Sequence, residues 1–246
     1  MTLRRTVLAV IWVTAVSATG GTGCMKTVDG RALAAQAPGH ASGAAPTATS
    51  AAPRTVPVTA LDGLLLSRDQ IVAVSGGADM SLVNTINNTS DSAQLIDDRA
   101  CLGLASVGDV TVYSDSGWVG MRGNQFSTPN AVLADATQLA SSYTAARDAG
   151  GLLQRAGQDW QGCANKRFGF HSSNGNHSHF DTGPLSATDT RIALTMRQVE
   201  DARWACSHGL AVQSNIVIEA RVCLLNKDTA AAVNNLLDQV VAKIPQ

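Results

Sequence analysis

This sequence is poor in charge, poor in aromatic rings and without a long apolar run. Each shortage excludes something. Charged residues make up 15% of the 246 and aromatics 4%, against a charged share of about 25% in ordinary soluble domains. Coiled coils and highly charged disordered tails are therefore excluded. A formal net charge of −1 leaves no basic field to hold nucleic acid. The chain has no G-x-S-x-G elbow, no phosphate-binding G-x-x-x-x-G-K-[ST] loop, no dinucleotide G-x-G-x-x-G and no H-E-x-x-H, so the familiar catalytic signatures are missing. No two cysteines stand at C-x-x-C spacing, which argues against a zinc knuckle. Asp97 and Asp98 are adjacent and read as surface charge rather than a paired-carboxylate site. No catalytic residue, cofactor or metal is nominated.

What is present begins with an address. Arg4 and Arg5 precede an apolar run from Thr6 to Ala18. The run falls short of the roughly 20 residues of a membrane span but suits a signal peptide, residues 1–23. Small residues lead to Cys24, a pattern that resembles a bacterial lipobox, with Thr22 and Gly23 at its small positions and Gly21 where an aliphatic residue is usual. Cys24 is thus the expected lipidation site. Cleavage before it removes two arginines and leaves 16 basic against 19 acidic residues, a net charge of −3. Such a chain is not drawn to an anionic bilayer by charge. A lipid anchor would hold it at the extracytoplasmic face of the cell membrane, where a single acyl chain gives only marginal binding. Residues 24–60 read as a flexible Ala/Pro/Thr-rich tether. It cannot bury enough surface to offset chain entropy, and Thr47, Thr49, Thr55 and Pro57 suit O-glycosylation. The folded domain is expected over 61–246.

With Cys24 set aside, Cys101, Cys163, Cys206 and Cys223 remain. Four cysteines in an exported chain suggest two disulfides with three possible connectivities. Spacing selects one. Trp204–Val212 and Ile216–Leu225 both read as strands, and pairing Cys206 with Cys223 centres the register on Ser214-Asn215, a two-residue hairpin loop. Cys101–Cys163 follows by elimination.

Ser67 and Gln70 form a capping-box pattern for a helix over Arg68–Val74, ended by Gly76-Gly77. A polar region runs to about Asp98, and the chain around Cys101 reads as helical. Strands are expected over Trp118–Phe126 and Ala131–Leu139. Ala149, Leu152, Leu153, Ala156, Trp160 and Cys163 then recur at helical spacing. Ile192, Leu194 and Met196 alternate as a strand. Ala205, Ser207, Gly209 and Ala211 on one hairpin strand face Leu224, Val222, Ala220 and Ile218 on the other. Small residues against large ones leave room for a helix, and Val233, Leu236, Leu237, Val240, Val241 and Ile244 supply its stripe. The expected fold is α+β, a mostly antiparallel twisted sheet packed with helices, with two disulfides in a single domain.

The succession of Cys101, Tyr113-Ser-Asp-Ser-Gly-Trp118, Trp160-Gln-Gly-Cys163, Trp204-Ala-Cys206 and Asn215–Cys223 resembles the PknH-like extracellular sensor domain. That domain occurs outside the membrane on a mycobacterial serine/threonine kinase and in free mycobacterial lipoproteins. The resemblance covers about Leu61 to Pro245. It implies the α+β fold, two disulfides and a cleft for a ligand of unknown identity, and it carries over no catalytic residue.

Two clusters are candidates for chemistry. His208, Glu219 and Arg221 share the hairpin face opposite the helix-packing one, beside Trp204 and the disulfide. An aromatic mixed with a few polar groups suits a cleft wall, and a solvated sheet face is the plainer alternative. His171, His177 and His179 could offer imidazoles to zinc or copper across an Asn174-Gly175 turn, although a polar hairpin explains them as well. The functional expectation is a lipid-anchored, non-catalytic binding or sensor-like domain. Its partners would be a small molecule, glycan or lipid and the membrane, with no nucleic acid. An envelope protein-docking module without a small ligand is the second reading, and a hydrolase with an unrecognised site the third.

Overall fold

In the computed structural model, which describes residues 55–171 and 175–245, the alternating apolar residues line up on a single antiparallel sheet. The helices are α1 (Leu61–Leu64), α2 (Arg68–Val74), α3 (Leu102–Ala105), α4 (Val110–Tyr113), α5 (Ala146–Cys163) and α6 (Thr229–Val241). The strands are β1 (Ser81–Ile86), β2 (Trp118–Ser127), β3 (Ala134–Tyr143), β4 (Arg167–His171), β5 (His177–Thr182), β6 (Ser186–Ala187), β7 (Arg191–Gln198), β8 (Trp204–Gln213) and β9 (Ile216–Leu225). They lie in the order β1-β2-β3-β9-β8-β7-β5-β4, with β6 also pairing with β7. This is the α+β architecture the sequence suggests.

The β8–β9 hairpin sits near the middle of the sheet. Cys206 lies opposite Cys223 and Gln213 opposite Ile216, so the turn is Ser214-Asn215, as the spacing requires. Both expected disulfides are present, Cys206–Cys223 and Cys101–Cys163.

One sheet face packs α1, α2 and α6. Val233, Leu236, Leu237 and Val240 of α6 are buried against Ala211, Ile218, Ala220, Val222 and Leu224. Each side chain of this kind stabilises by roughly 1.5–3 kcal/mol on burial. Asp228 caps α6 by accepting from the Ala231 N–H at 3.0 Å. The Ser67–Gln70 capping box of α2 is formed in both directions. The other face packs α3, α4 and α5, with the complete expected stripe of α5 buried.

Three local outcomes differ from the sequence pattern. The strand expected from Ala131 starts at Ala134, because Pro129–Ala131 forms a 3-10 turn. The Thr128 hydroxyl secures that turn by accepting from the Leu133 and Ala134 N–H groups at 3.1 and 3.2 Å. β1 lies inside the stretch read only as polar. Five of its six residues are exposed, so it lacks the one-sided alternation that reveals a strand. Packing also begins ahead of Leu61: Val56 is buried, its N–H donates to Asn215 Oδ1 at 2.7 Å, and its carbonyl accepts from Asn215 Nδ2 at 3.0 Å. The signal peptide, Cys24 and most of the tether lie outside the described residues. Among those described, no helix is long and apolar enough to cross a membrane.

The two sheet edges differ. The outer edge of β4 is covered by the segment Leu95–Asp97, through His171 N–H to Leu95 O at 2.7 Å and Asp97 N–H to Gly169 O at 3.2 Å. A Cβ on Gly169 would overlap the Asp97 carboxylate, so the close approach requires glycine there. β1 at the opposite edge carries Leu82 and Val83, both more than half exposed.

Candidate functional site

Cross-strand register puts His208 opposite Arg221 and Leu210 opposite Glu219, so His208, Glu219 and Arg221 share one face. That face is neither a solvated surface nor, at its centre, an open cleft. Helices α3 to α5 cover it, and His208 and Glu219 are fully buried. His208 Nδ1 lies 2.6 Å from Leu104 O, and Nε2 lies 2.8 Å from Glu219 Oε1. Glu219 Oε2 accepts from the Gly108 N–H at 3.0 Å and the Tyr113 hydroxyl at 2.8 Å. A carbonyl only accepts, so Nδ1 carries a proton. The Nε2–Oε1 contact holds one more proton between its ends. The couple is therefore either imidazolium with carboxylate or imidazole with carboxylic acid, and it is neutral overall in both forms.

These bonds fasten the segment from Leu104 to Tyr113 onto the sheet. Burial raises the Tyr113 phenol well above its ordinary range, and the Glu219 carboxylate adds to the effect. Burial also pushes Tyr143 up to about 12. Trp160 packs on the His208 ring at a centroid distance of 4.8 Å. With solvent excluded from both side chains, the pair is placed to hold structure rather than to meet a substrate.

Trp204 and Arg221, both partly exposed, lie differently: they line a cavity of about 220 Å3 at the end of the hairpin away from its turn. Phe168, Phe170, Phe180 and Met196 form its apolar walls, with the Cys206–Cys223 disulfide between them. Phe168 and Phe180 are opposite one another across β4–β5 and stack at 5.8 Å. Asp135 is the carboxylate in the wall. It meets Arg221 Nη2 at 3.4 Å and accepts from Gln125 Nε2 at 2.7 Å. Arg221 Nη1 donates to Ala105 O, while the buried Nε has no partner among the described residues.

Arg221 also borders a second cavity of about 400 Å3, a polar groove between the 84–90 segment and strands β2 and β3. The four nominated residues therefore divide into two fully buried fasteners and two cavity-lining side chains. The sequence reading missed Asp135, the phenylalanines and the groove. The available signal was compositional: three of the chain's four phenylalanines fall between positions 168 and 180.

Of the three histidines, His171 and His177 meet, Nδ1 to Nε2, at 3.0 Å across β4–β5, and His179 Nδ1 pairs with Glu200 Oε1 at 2.7 Å. The turn at 172–174 lies outside the described residues. Among those described, no group of three His, Cys, Asp or Glu side chains is set to hold a metal ion.

Comparison with known proteins bears on this geometry. Residues 56–243 match the family model described as PknH-like extracellular domain. The chain is 21% identical over 193 residues to the serine/threonine-protein kinases PknH of Mycobacterium bovis and Mycobacterium tuberculosis. The match takes in 78% of this chain but only 31% and 30% of those proteins, so the chain spans about a third of their length. The crystal structure of the extracellular domain of PknH from Mycobacterium tuberculosis superposes with a TM-score of 0.72 at 20% identity, covering 78% of this chain and 98% of that one.

Proposed function

The chain belongs to the family of PknH-like extracellular domains, and from that premise we propose that it is a lipid-anchored, non-catalytic, sensor-like protein that binds a ligand outside the cytoplasm. The observation that carries the reading is the aromatic cavity over the Cys206–Cys223 disulfide, walled by Trp204 and Arg221 and mostly apolar with a few placed polar groups. Binding sites for small molecules have that composition. The buried His208–Glu219 pair serves this site indirectly. Glu219 and Arg221 stand two apart on β9, and both bind the 104–108 segment, which borders the cavity at Ala105 and the groove at Ser106 and Val107. The anchor rests on Cys24 and the signal that precedes it.

The test is native mass spectrometry of the full chain recovered from envelope extract, with organic extraction of whatever travels with it. A reproducible bound small molecule that Trp204→Ala abolishes supports the reading. An empty chain overturns it. Radiolabelled palmitate incorporated into the wild type and absent from Cys24→Ser tests the anchor.

A second reading is favoured by one feature. β1 is an edge strand, paired among the described residues with β2 alone, and Leu82 and Val83 are exposed on it. That is a surface on which an envelope protein could add a strand. Cross-linking from position 83 in intact cells distinguishes the two: a discrete protein adduct together with an empty cavity favours docking.

A further inference from the structure

We propose that the cavity and the groove form one bipartite site for an amphiphile, with an uncharged, hydroxyl-rich head of glycosyl type in the groove and a short apolar tail in the aromatic cavity. The inference rests on the ligand-binding reading above and supplies the ligand chemistry.

The two spaces adjoin at Arg221, which borders both, and consecutive residues line one and then the other, Ala105 on the cavity and Ser106 and Val107 on the groove. Their linings differ in kind. The cavity gathers three of the four phenylalanines and one of the four tryptophans of a chain with only 4% aromatic residues. The groove is lined by amides, Asn84, Asn87, Asn88 and Gln125, and by hydroxyls such as Thr85 and Thr137. An amide offers both donors and an acceptor, which matches an alcohol, itself both donor and acceptor.

The charge present argues for a neutral head. Among the described residues Arg221 is the one cation of the groove lining, and Asp135 already faces it at 3.4 Å. A phosphate or sulfate would call for a cluster of cations or a bidentate guanidinium free to turn. Arg221 is instead held to Ala105 O. Cavities of about 220 and 400 Å3 together fall within the 300–1,000 Å3 or so of small-molecule sites. A free sugar would leave the aromatic part empty, and a free fatty chain would leave the amides unused.

The experiment is calorimetric titration of the oxidised full chain with n-octyl β-glucoside below its aggregation concentration, with tryptophan fluorescence read in parallel. The comparators are octanol for the tail alone, methyl β-glucoside for the head alone, and octyl sulfate for the same tail on an anion. Octyl glucoside is expected to bind at least about tenfold more tightly than each of them. Asn84 and Asn88 are exposed, so Asn84→Leu with Asn88→Leu keeps the fold. That double variant should lose about tenfold for octyl glucoside with no change for octanol. Trp204→Ala should weaken every octyl compound and remove the fluorescence response.

Octanol binding as well as the glucoside would overturn the head assignment. Octyl sulfate binding better would overturn the neutral head. In both cases ligand binding by the cavity would stand. Absence of binding by all four probes overturns the amphiphile. The ligand-binding reading is decided separately: it falls if the chain from envelope extract is empty.

Discussion

The two faces of the β8–β9 hairpin solve opposite problems with the same register. On the α6 face, Ala205, Ser207, Gly209 and Ala211 are small so that a helix can lie close, and burial there follows mainly from apolar area, with the Ser207 hydroxyl the polar group, paired to Thr229 of α6 and to Thr195. On the other face, the same two strands present His208, Glu219 and Arg221, and each is covered only because a specific partner on the 104–113 segment or on β3 meets it. The first face tolerates exchange of one hydrocarbon for another. The second tolerates very little, because an unmatched buried polar group costs more than a matched one contributes.

The sharpest way to break the polar face is Glu219→Leu. It strands His208 Nε2, the Gly108 N–H and the Tyr113 hydroxyl together, and should destabilise by about 3–5 kcal/mol, read as a drop in the urea midpoint. Opening the Cys206–Cys223 disulfide, which closes 17 residues, should cost roughly 3 kcal/mol, and opening Cys101–Cys163, which closes 62, roughly 4. Denaturation of the Cys→Ser pairs checks both.

On the apolar face, a Cβ at Gly209 would stand 2.9 Å from Leu237 Cδ1. Gly209→Ala should cost about 1–3 kcal/mol, and Leu237→Val in the same chain should recover part of it. Additive losses in that double-mutant cycle would mean the helix does not seat on Gly209.

Alkaline pH gives a gentler comparison. Burial raises the folded-state pKa of both tyrosines, and the chain has only two. Their contribution to stability is complete below the ordinary phenol pKa of about 10 and is lost as pH rises through the folded values. Tyrosinate absorbance should therefore stay low past pH 10, with Tyr143 ionising near 12 and Tyr113 also held well above the ordinary phenol range. The smallest effect is at Glu200. The His179 backbone N–H, followed by its ring, holds this exposed carboxyl down to about 2. Its contribution is complete above the ordinary carboxylate pKa and is lost below it, as pH falls toward about 2. An NMR titration should find the low pKa, and Glu200→Gln should lower the urea midpoint at pH 7 only slightly, because the group is exposed.

How much the sequence disclosed follows the same division. Apolar periodicity located α5, α6, β7 and the hairpin with its disulfide, because hydrocarbon must go inside whatever its partner is. The site was half legible. Alternation placed His208, Glu219, Arg221 and Trp204 on one face. It could not say that helices far away in sequence would bury two of them and leave two beside a cavity. β3 shows the limit most plainly. All ten of its residues are buried although Asp135, Thr137, Gln138, Ser141 and Ser142 are polar. Gln138 is matched by the backbone of Leu66, accepting from its N–H and donating to its carbonyl, both at 2.9 Å. A long-range partner of that sort leaves no mark on local pattern.

The Asn215 clamp on Val56 has a consequence of orientation. It receives the incoming chain at the turn of the hairpin, while Cys206, Cys223 and Trp204 lie toward the other end of the same two strands. At about 3.3 Å per residue, the point where the chain enters the domain and the cavity mouth are separated by most of the hairpin's length. Whatever the chain carries ahead of Val56 therefore joins the domain at the hairpin turn and leaves the cavity end unencumbered at its point of entry.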